Sequence, residues 1–197
     1  MEFLTEISAT LHHGRNLDVI TSAEIVRSRW NDIVVPAAFA TASLIAEHID
    51  LFCEVDLALP DVYTLLRGAA DAIASSADPV SIVPRFQLRL LDALGLAPPG
   101  DSCIRCGSSI DGCIGWIDVD AGGIACERCS RGRGDASALD AADVANFAAL
   151  AAPRRGARPA ALMATPRTAD AVDRLVTHHL GRRPRARAVV DALPSGR

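Results

Sequence analysis

Residues 103–129 read CIRCGSSIDGCIGWIDVDAGGIACERC, and this stretch decides the fold. It holds two Cys-x-x-Cys pairs, Cys103/Cys106 and Cys126/Cys129, separated by 19 residues. Each pair bends the backbone so that two sulfurs face one point, and the intervening loop is long enough to bring both pairs to the same point. That is the donor set of a tetrahedral structural zinc site. Between the pairs, Gly115–Val119 alternates like a strand, Asp120–Gly123 is a turn, and Ile124-Ala125 leads into Cys126. A hairpin between two cysteine knuckles is a zinc-ribbon-like layout, which favours one structural Zn²⁺. An iron–sulfur cluster is chemically open to four thiolates, and thiol–disulfide exchange to any Cys-x-x-Cys. A metal held by four protein ligands leaves no position for substrate, so the site is expected to build structure rather than perform chemistry. Backbone N–H groups near Gly107 and Ser130, with Arg105 and Arg128, are candidates to offset the charge of four thiolates. Cys53 and Cys113 read as small packing residues.

Outward from this module the chain reads as helix. Half of its 197 residues are apolar and few are aromatic, which favours packed helices over a large sheet. Pro60–Ser75 and Val80–Leu94 carry apolar residues at helical spacing, with Gly95 as a stop. A longer helix follows Asn31 or Asp32 as cap, with Pro36 in its first turn. After a Gly/Arg linker at 131–135, helix is expected from Leu139 or Asp140 to Ala151, broken by Pro153–Pro159, then over Thr168–Leu180 and Ala186–Leu193. At the N-terminus, Phe3–Leu11 and Leu17–Ile20 read as short strands joined by a turn at Gly14-Arg15-Asn16. Thr21 or Ser22 is expected to cap a short helix containing Glu24. Two strands alone make at best a marginal hairpin, so they need further partners.

Charge is unevenly spread. Residues 1–100 hold 6 Arg against 13 Asp and Glu, a balance of −7; residues 101–153 carry −4 and residues 154–197 carry +7. All 20 basic residues are Arg. The basic C-terminal region reads either as a phosphate-backbone surface or as a solvated helix end. His12-His13 and His178-His179 do not fall at metal-binding helical spacing. Phosphate loops, nucleophile elbows and zinc-protease helices are missing from the sequence, so no catalytic residue is assigned and no enzyme activity is expected. There is no secretory leader pattern and no uninterrupted apolar stretch of membrane-spanning length, so a cytoplasmic protein with no membrane partner is expected.

Four segments in order carry a family resemblance: HGRNLDVITSAE at 13–24, FQLRLLDALG at 86–95, DAGGIAC at 120–126 and LGRRPRAR at 180–187. They look like the family patterns G-R-x-L-D-x-I-T-x-x-E, F-x-x-R-L-L-x-x-x-G, G-G-x-x-C and L-G-x-x-x-x-S-R, with Ala186 in place of the small hydroxyl residue of the last. Their order and spacing together resemble the bacterial RecO family of DNA repair and recombination mediators. The resemblance implies a mainly helical fold with an inserted four-cysteine hairpin and an N-terminal oligonucleotide-binding barrel. Only the last strands of that barrel are expected in this sequence, which would make it a shortened product or one with a mis-assigned start. The implied division is a barrel remnant at 1–20, a helical body at 21–99, a zinc module at 100–132 and completing helices at 133–197. The implied function is non-enzymatic, in the RecF pathway. It comprises binding of single- and double-stranded DNA, annealing of complementary strands, and partnership with RecR and single-strand-binding protein to help load RecA, at the bacterial nucleoid. A zinc scaffold for protein docking without DNA contact is the alternative. With most of the barrel missing, DNA contact would fall to Arg15, Arg27 and Arg29 at the junction and to Arg154, Arg155, Arg158, Arg182, Arg183, Arg185 and Arg187.

Overall fold

A computed structural model describes residues 2–15, 17–55, 57–131, 137–152 and 163–193. Arg154, Arg155 and Arg158, most of the 131–135 linker and the Pro153–Pro159 break lie outside the described residues.

The chain opens with an antiparallel hairpin, β1 (Glu6–His12) and β2 (Val19–Arg27), with Leu11 opposite Ile20 and Ile7 opposite Ile25. The second strand runs well beyond Ile20 and replaces the short helix expected around Glu24. Its β-branched residues Val19, Ile20, Thr21, Ile25 and Val26 suit a pleated backbone, and β1 supplies a partner along the whole length. The Thr21 hydroxyl, read as a helix cap, donates instead to the Thr10 carbonyl at 3.2 Å. Most of the hairpin is exposed, including Leu11, Ile20, Ile25 and Val26.

Next come α1 (Trp30–Ile33), α2 (Pro36–Phe52) and α3 (Pro60–Ser75). Asn31 and Asp32 lie inside the one-turn α1, and α2 starts without a side-chain cap; the fixed φ of Pro36 begins it. The expected helix over Val80–Leu94 divides into a 3-10 turn (Pro79–Ile82) and α4 (Val83–Ala93), because Pro84 has no N–H to carry the hydrogen-bond ladder through. Gly95, at φ 73°, ends α4. The Leu96 N–H returns to the Leu91 carbonyl at 2.7 Å and the Gly95 N–H to Asp92 at 3.0 Å, the pattern of a left-handed helix stop.

The cysteine segment contributes β3 (Gly115–Asp118), β4 (Gly123–Cys126) and the one-turn α5 (Glu127–Ser130). A two-residue strand β5 (Ala138–Leu139) adds to β3, so the sheet order is β4-β3-β5, all antiparallel. Helices α6 (Ala141–Ala151), α7 (Pro166–Leu180) and α8 (Arg185–Asp191) follow. Asp140 and Asp143 form a reciprocal capping box on α6, and Thr165 caps α7 through the Thr168 N–H.

Two larger core clusters and one smaller one result. Ile33, Ile45, Ile73, Phe86 and Leu90 unite α1 through α4. Ile110, Ile117 and Ile124 from the cysteine segment and Leu139 of β5 pack with Phe147 and Leu150 of α6, Val172 and Leu175 of α7 and Leu88 of α4. The cysteine segment therefore shares its core with the C-terminal helices. Leu44, Val83 and Val190 seat α8 against α2. Among the described residues no helix is long and apolar enough to cross a membrane.

Candidate metal centre and arginine surface

Each knuckle is shaped by its own backbone. In the first, the Cys103 N–H donates to Ser108 O at 2.8 Å and the Gly107 N–H returns to Cys103 O at 2.9 Å. Gly107 sits at φ 70°, a conformation that costs glycine little and a side-chain-bearing residue more. The Ile104 N–H donates to Ile124 O at 2.9 Å, which ties this knuckle to β4. In the second, Cys126 ends β4 and α5 carries Cys129 one turn on. The Sγ atoms of Cys103, Cys106, Cys126 and Cys129 consequently lie within 4.8 Å of one another and could hold a metal ion. Cys106 Sγ and Cys126 Sγ are 3.8 Å apart. Tetrahedral zinc–thiolate bonds of about 2.3 Å require a sulfur–sulfur edge of about 3.8 Å, so the donor set and its spacing suit zinc.

The surroundings favour negative sulfur at Cys103 and Cys106. The Cys126 N–H donates to Cys103 Sγ at 3.3 Å. Burial raises the Cys103 thiol, but the N–H groups of Cys126, Cys106 and Arg105 outweigh it and lower its pKa. Ser108, through its hydroxyl and then its N–H, pulls Cys106 down to about 5, helped by Cys103 and by Arg128, whose Nη2 is 3.7 Å from the sulfur. Cys129, hydrogen-bonded to Cys106 and Cys126, is pushed up to about 12. Four thiolates this close need a cation among them. Arg128 fills its expected place beside the sulfurs. Arg105 feels the charge of Cys129 but hydrogen-bonds the buried Asp118 of β3, at 2.5 and 3.0 Å, while Asp118 also accepts the Ala121 N–H that closes the β3–β4 turn. Near Gly107 it is the Ser108 N–H that serves Cys106, while the Gly107 N–H goes to the Cys103 carbonyl. Cys113 is exposed and outside the cluster, contrary to its reading as a packing residue; Cys53 is half-buried at the end of α2.

Residues 35–188 match the family model described as Recombination protein O C terminal. The chain belongs to the RecO family. The match begins at α2 and runs through the four cysteines into α8, leaving the hairpin outside. Among RecO relatives, the DNA repair protein RecO of Bifidobacterium longum (strain DJO10A) is 30% identical over 130 residues, covering 64% of this chain and 53% of the relative. DNA repair protein RecO of Desulfitobacterium hafniense (strain DSM 10664 / DCB-2) is 28% identical over 131 residues, 65% of this chain and 46% of the relative. That of Nocardioides sp. (strain ATCC BAA-499 / JS614) is 29% identical over 133 residues, 66% and 54% respectively. The chain thus spans about half the length of the curated RecO relatives it matches.

The arginines read as DNA contacts separate into two groups. Arg29 is 3% exposed and held by Asp71 at 2.5 Å and Glu6 at 3.4 Å; burial works against its charge and the two carboxylates outweigh it. It pins the hairpin to α3 and is withdrawn from any phosphate surface, because a guanidinium enclosed by two carboxylates has no face left for a third anion. Arg27 is more open but also meets Asp71, at 3.2 Å. Arg187 reaches Asp173 at 2.6 Å and Asp191 at 2.7 Å, and Arg183 reaches Asp191 at 2.6 Å. Arg15 in the hairpin loop, and Arg182 and Arg185 where α7 passes into α8, are exposed.

The sequence reading missed a polar seam inside this RecO helical body. His48 of α2, wholly buried, lies 3.3 Å from Gln87 Nε2, which donates to Asp173 Oδ1 at 3.3 Å, the atom Arg187 also reaches. Burial pushes His48 down to about 4, so it is neutral at ordinary pH. Beside it, Glu47 accepts the N–H groups of Arg185 and Ala186, both at 2.8 Å. In the sequence Glu47 and His48 are simply polar residues within a largely apolar run. The one local signal was their place beside the buried stripe of α2, yet partners 39 to 139 residues away leave no local trace.

Proposed function

We propose that this protein is a non-enzymatic DNA repair and recombination mediator of the RecO type. The family match across residues 35–188 carries the reading. The all-thiolate cluster supports one structural Zn²⁺ held by Cys103, Cys106, Cys126 and Cys129 in a zinc-ribbon-like module. When bound, zinc supplies folding energy and neutralises the thiolates. The chain's own part is to present the knuckles from Ile104 and Gly107, and to stabilise the sulfurs through backbone N–H groups, Ser108 and Arg128.

The hairpin, whose strand pairing runs to Arg27, is proposed as strands of an oligonucleotide-binding barrel. The proposed division is then the barrel strands through Arg27, a helical body from there to residue 99, a zinc module at 100–132 and completing helices at 133–197. DNA contact falls to the exposed Arg15, Arg182 and Arg185, with Arg27, Arg183 and Arg187 joining by exchanging a carboxylate for a phosphate. Arg154, Arg155 and Arg158 extend the set beyond the described residues. Recognition is of backbone charge and independent of sequence. The partners proposed are single- and double-stranded DNA, RecR, single-strand-binding protein and, indirectly, RecA. The action is strand annealing and RecA loading in a bacterial cytoplasm, at the nucleoid.

Oligonucleotide binding and annealing by the purified chain across a salt series test this reading. Binding that weakens steeply with salt supports it; no binding at low salt overturns it. A second reading, a zinc scaffold that docks proteins without DNA, draws on the internal pairing of Arg29, Arg183 and Arg187. Capture of RecR or single-strand-binding protein without salt-sensitive DNA binding would select it.

A further inference from the structure

The four sulfurs are not equally reachable. Cys103 is 2% exposed, Cys126 and Cys129 are half-buried, and Cys106 stands open to solvent. An oxidant enters a thiolate cluster through the sulfur it can touch. Around Cys106 Sγ, Ser108 Oγ lies at 3.4 Å and the Arg128 guanidinium at 3.7 Å, two donors suited to an oxygen bound on sulfur. Cys126 Sγ lies 3.8 Å away, within side-chain reach of a disulfide.

We infer that Cys106 is an oxidative modification site, the point at which hydrogen peroxide enters the metal centre, with Cys126 as the resolving thiol. The inference rests on the zinc reading above. The Cys106 thiolate attacks one peroxide oxygen, the O–O bond breaks and hydroxide leaves. The sulfur, oxidised by two electrons, becomes a sulfenic acid whose oxygen Arg128 and Ser108 hold. The Cys126 thiolate then attacks that sulfur; the S–S bond forms, the S–O bond breaks and a second hydroxide leaves. One peroxide is reduced to two hydroxides, two thiolates become a disulfide, and a metal left with Cys103 and Cys129 alone dissociates. Thiol reductant and fresh zinc restore the site. Exposed Cys113, outside the cluster, is the competing target.

The test treats the full zinc-loaded chain with hydrogen peroxide. It follows released zinc with a chromogenic chelator and maps disulfides after combined cleavage at arginine and aspartate, which separates Cys103, Cys106, Cys113, Cys126 and Cys129 from one another. The expected result is zinc release in step with a Cys106–Cys126 disulfide, unchanged in Cys113→Ser and slowed several-fold in Arg128→Ala, which keeps all four sulfurs. No zinc in the untreated protein overturns the metal reading and this inference with it. Zinc bound at the outset but retained while peroxide consumes Cys113 overturns only this inference. A disulfide through Cys103 or Cys129 overturns the assignment of the two sulfurs.

Discussion

The Glu47 carboxylate on α2 accepts the backbone N–H of Ala186 at 2.8 Å, across 139 residues of sequence. A second bond of the same length comes from the Arg185 N–H, so the first turn of α8 is capped by a side chain from another helix. Burial raises the Glu47 carboxyl, and the two N–H bonds outweigh it and hold it below its ordinary range. Glu47→Ala should cost about 1–2 kcal/mol, as loss of a helix cap does, with Glu47→Gln costing less because an acceptor remains. Denaturant melts measure the cost. Hydrogen exchange should place the loss at α8 first, since that seven-residue helix has no side-chain cap of its own and its first-turn N–H groups lose their acceptor.

Removing the metal should loosen more than the knuckles. Ile117 and Ile124 share one core with Phe147 and Leu175. Chelation, or Cys103→Ser, should therefore lower protection in α6 and α7 while α2 and α3, which belong to another cluster, hold longer. Metal analysis should find about one zinc per chain, unchanged by Cys113→Ser. Equal loss of protection in α2 and α6 would show that the cysteine segment does not share its core preferentially with the C-terminal helices.

Stability should fall in acid through His48. Its pKa drops from 6.5 to about 4 on folding, so below pH 6.5 the unfolded chain binds the extra proton and the folded chain does not. The contribution is complete above pH 6.5 and is lost progressively as pH falls towards about 4. It amounts to roughly 3 kcal/mol at most. Glu47, Asp173, Arg187 and Arg182 surround this seam, so the comparison must be made within one background. His48→Gln should flatten the slope of stability against pH in that window, and an unchanged slope would assign the acid sensitivity to the carboxylates.

Arg29→Ala leaves Glu6 and Asp71 without their buried partner and should cost about 3 kcal/mol, the usual result of removing one member of a buried pair. Arg29→Lys should recover little, because an ammonium cannot span both carboxylates as the guanidinium does. Chemical denaturation reads the cost. DNA affinity, measured where both variants are folded, should stay close to wild type.

On the DNA reading, Arg182→Ala and Arg185→Ala should each weaken binding by similar factors on every oligonucleotide sequence. Each should also reduce the slope of log affinity against log salt by about 1. Fluorescence anisotropy at several salt concentrations gives both numbers. A change confined to one sequence would argue against backbone contact.

Much of the helical body was legible because its signals are local. The apolar spacing of Pro60–Ser75, the stop at Gly95 and the Asp140 cap all act within one or two turns. The strand reading failed at Thr21–Glu24 because a helix cap and a β-branched strand compete over the same residues, and the winner depends on whether β1 lies alongside.

By itself the sequence determined the four-cysteine donor set, the order of the helices and the family, since residue type and short-range spacing are sufficient for each. Tertiary structure alone decided which charges are spent internally. Arg29 and Arg187 look free of distant partners when read along the chain, although Asp191 at i+4 of Arg187 is a local one. The fold brings Glu6 and Asp71 against Arg29 and Asp173 against Arg187, because burying a guanidinium requires carboxylates that here come from distant elements.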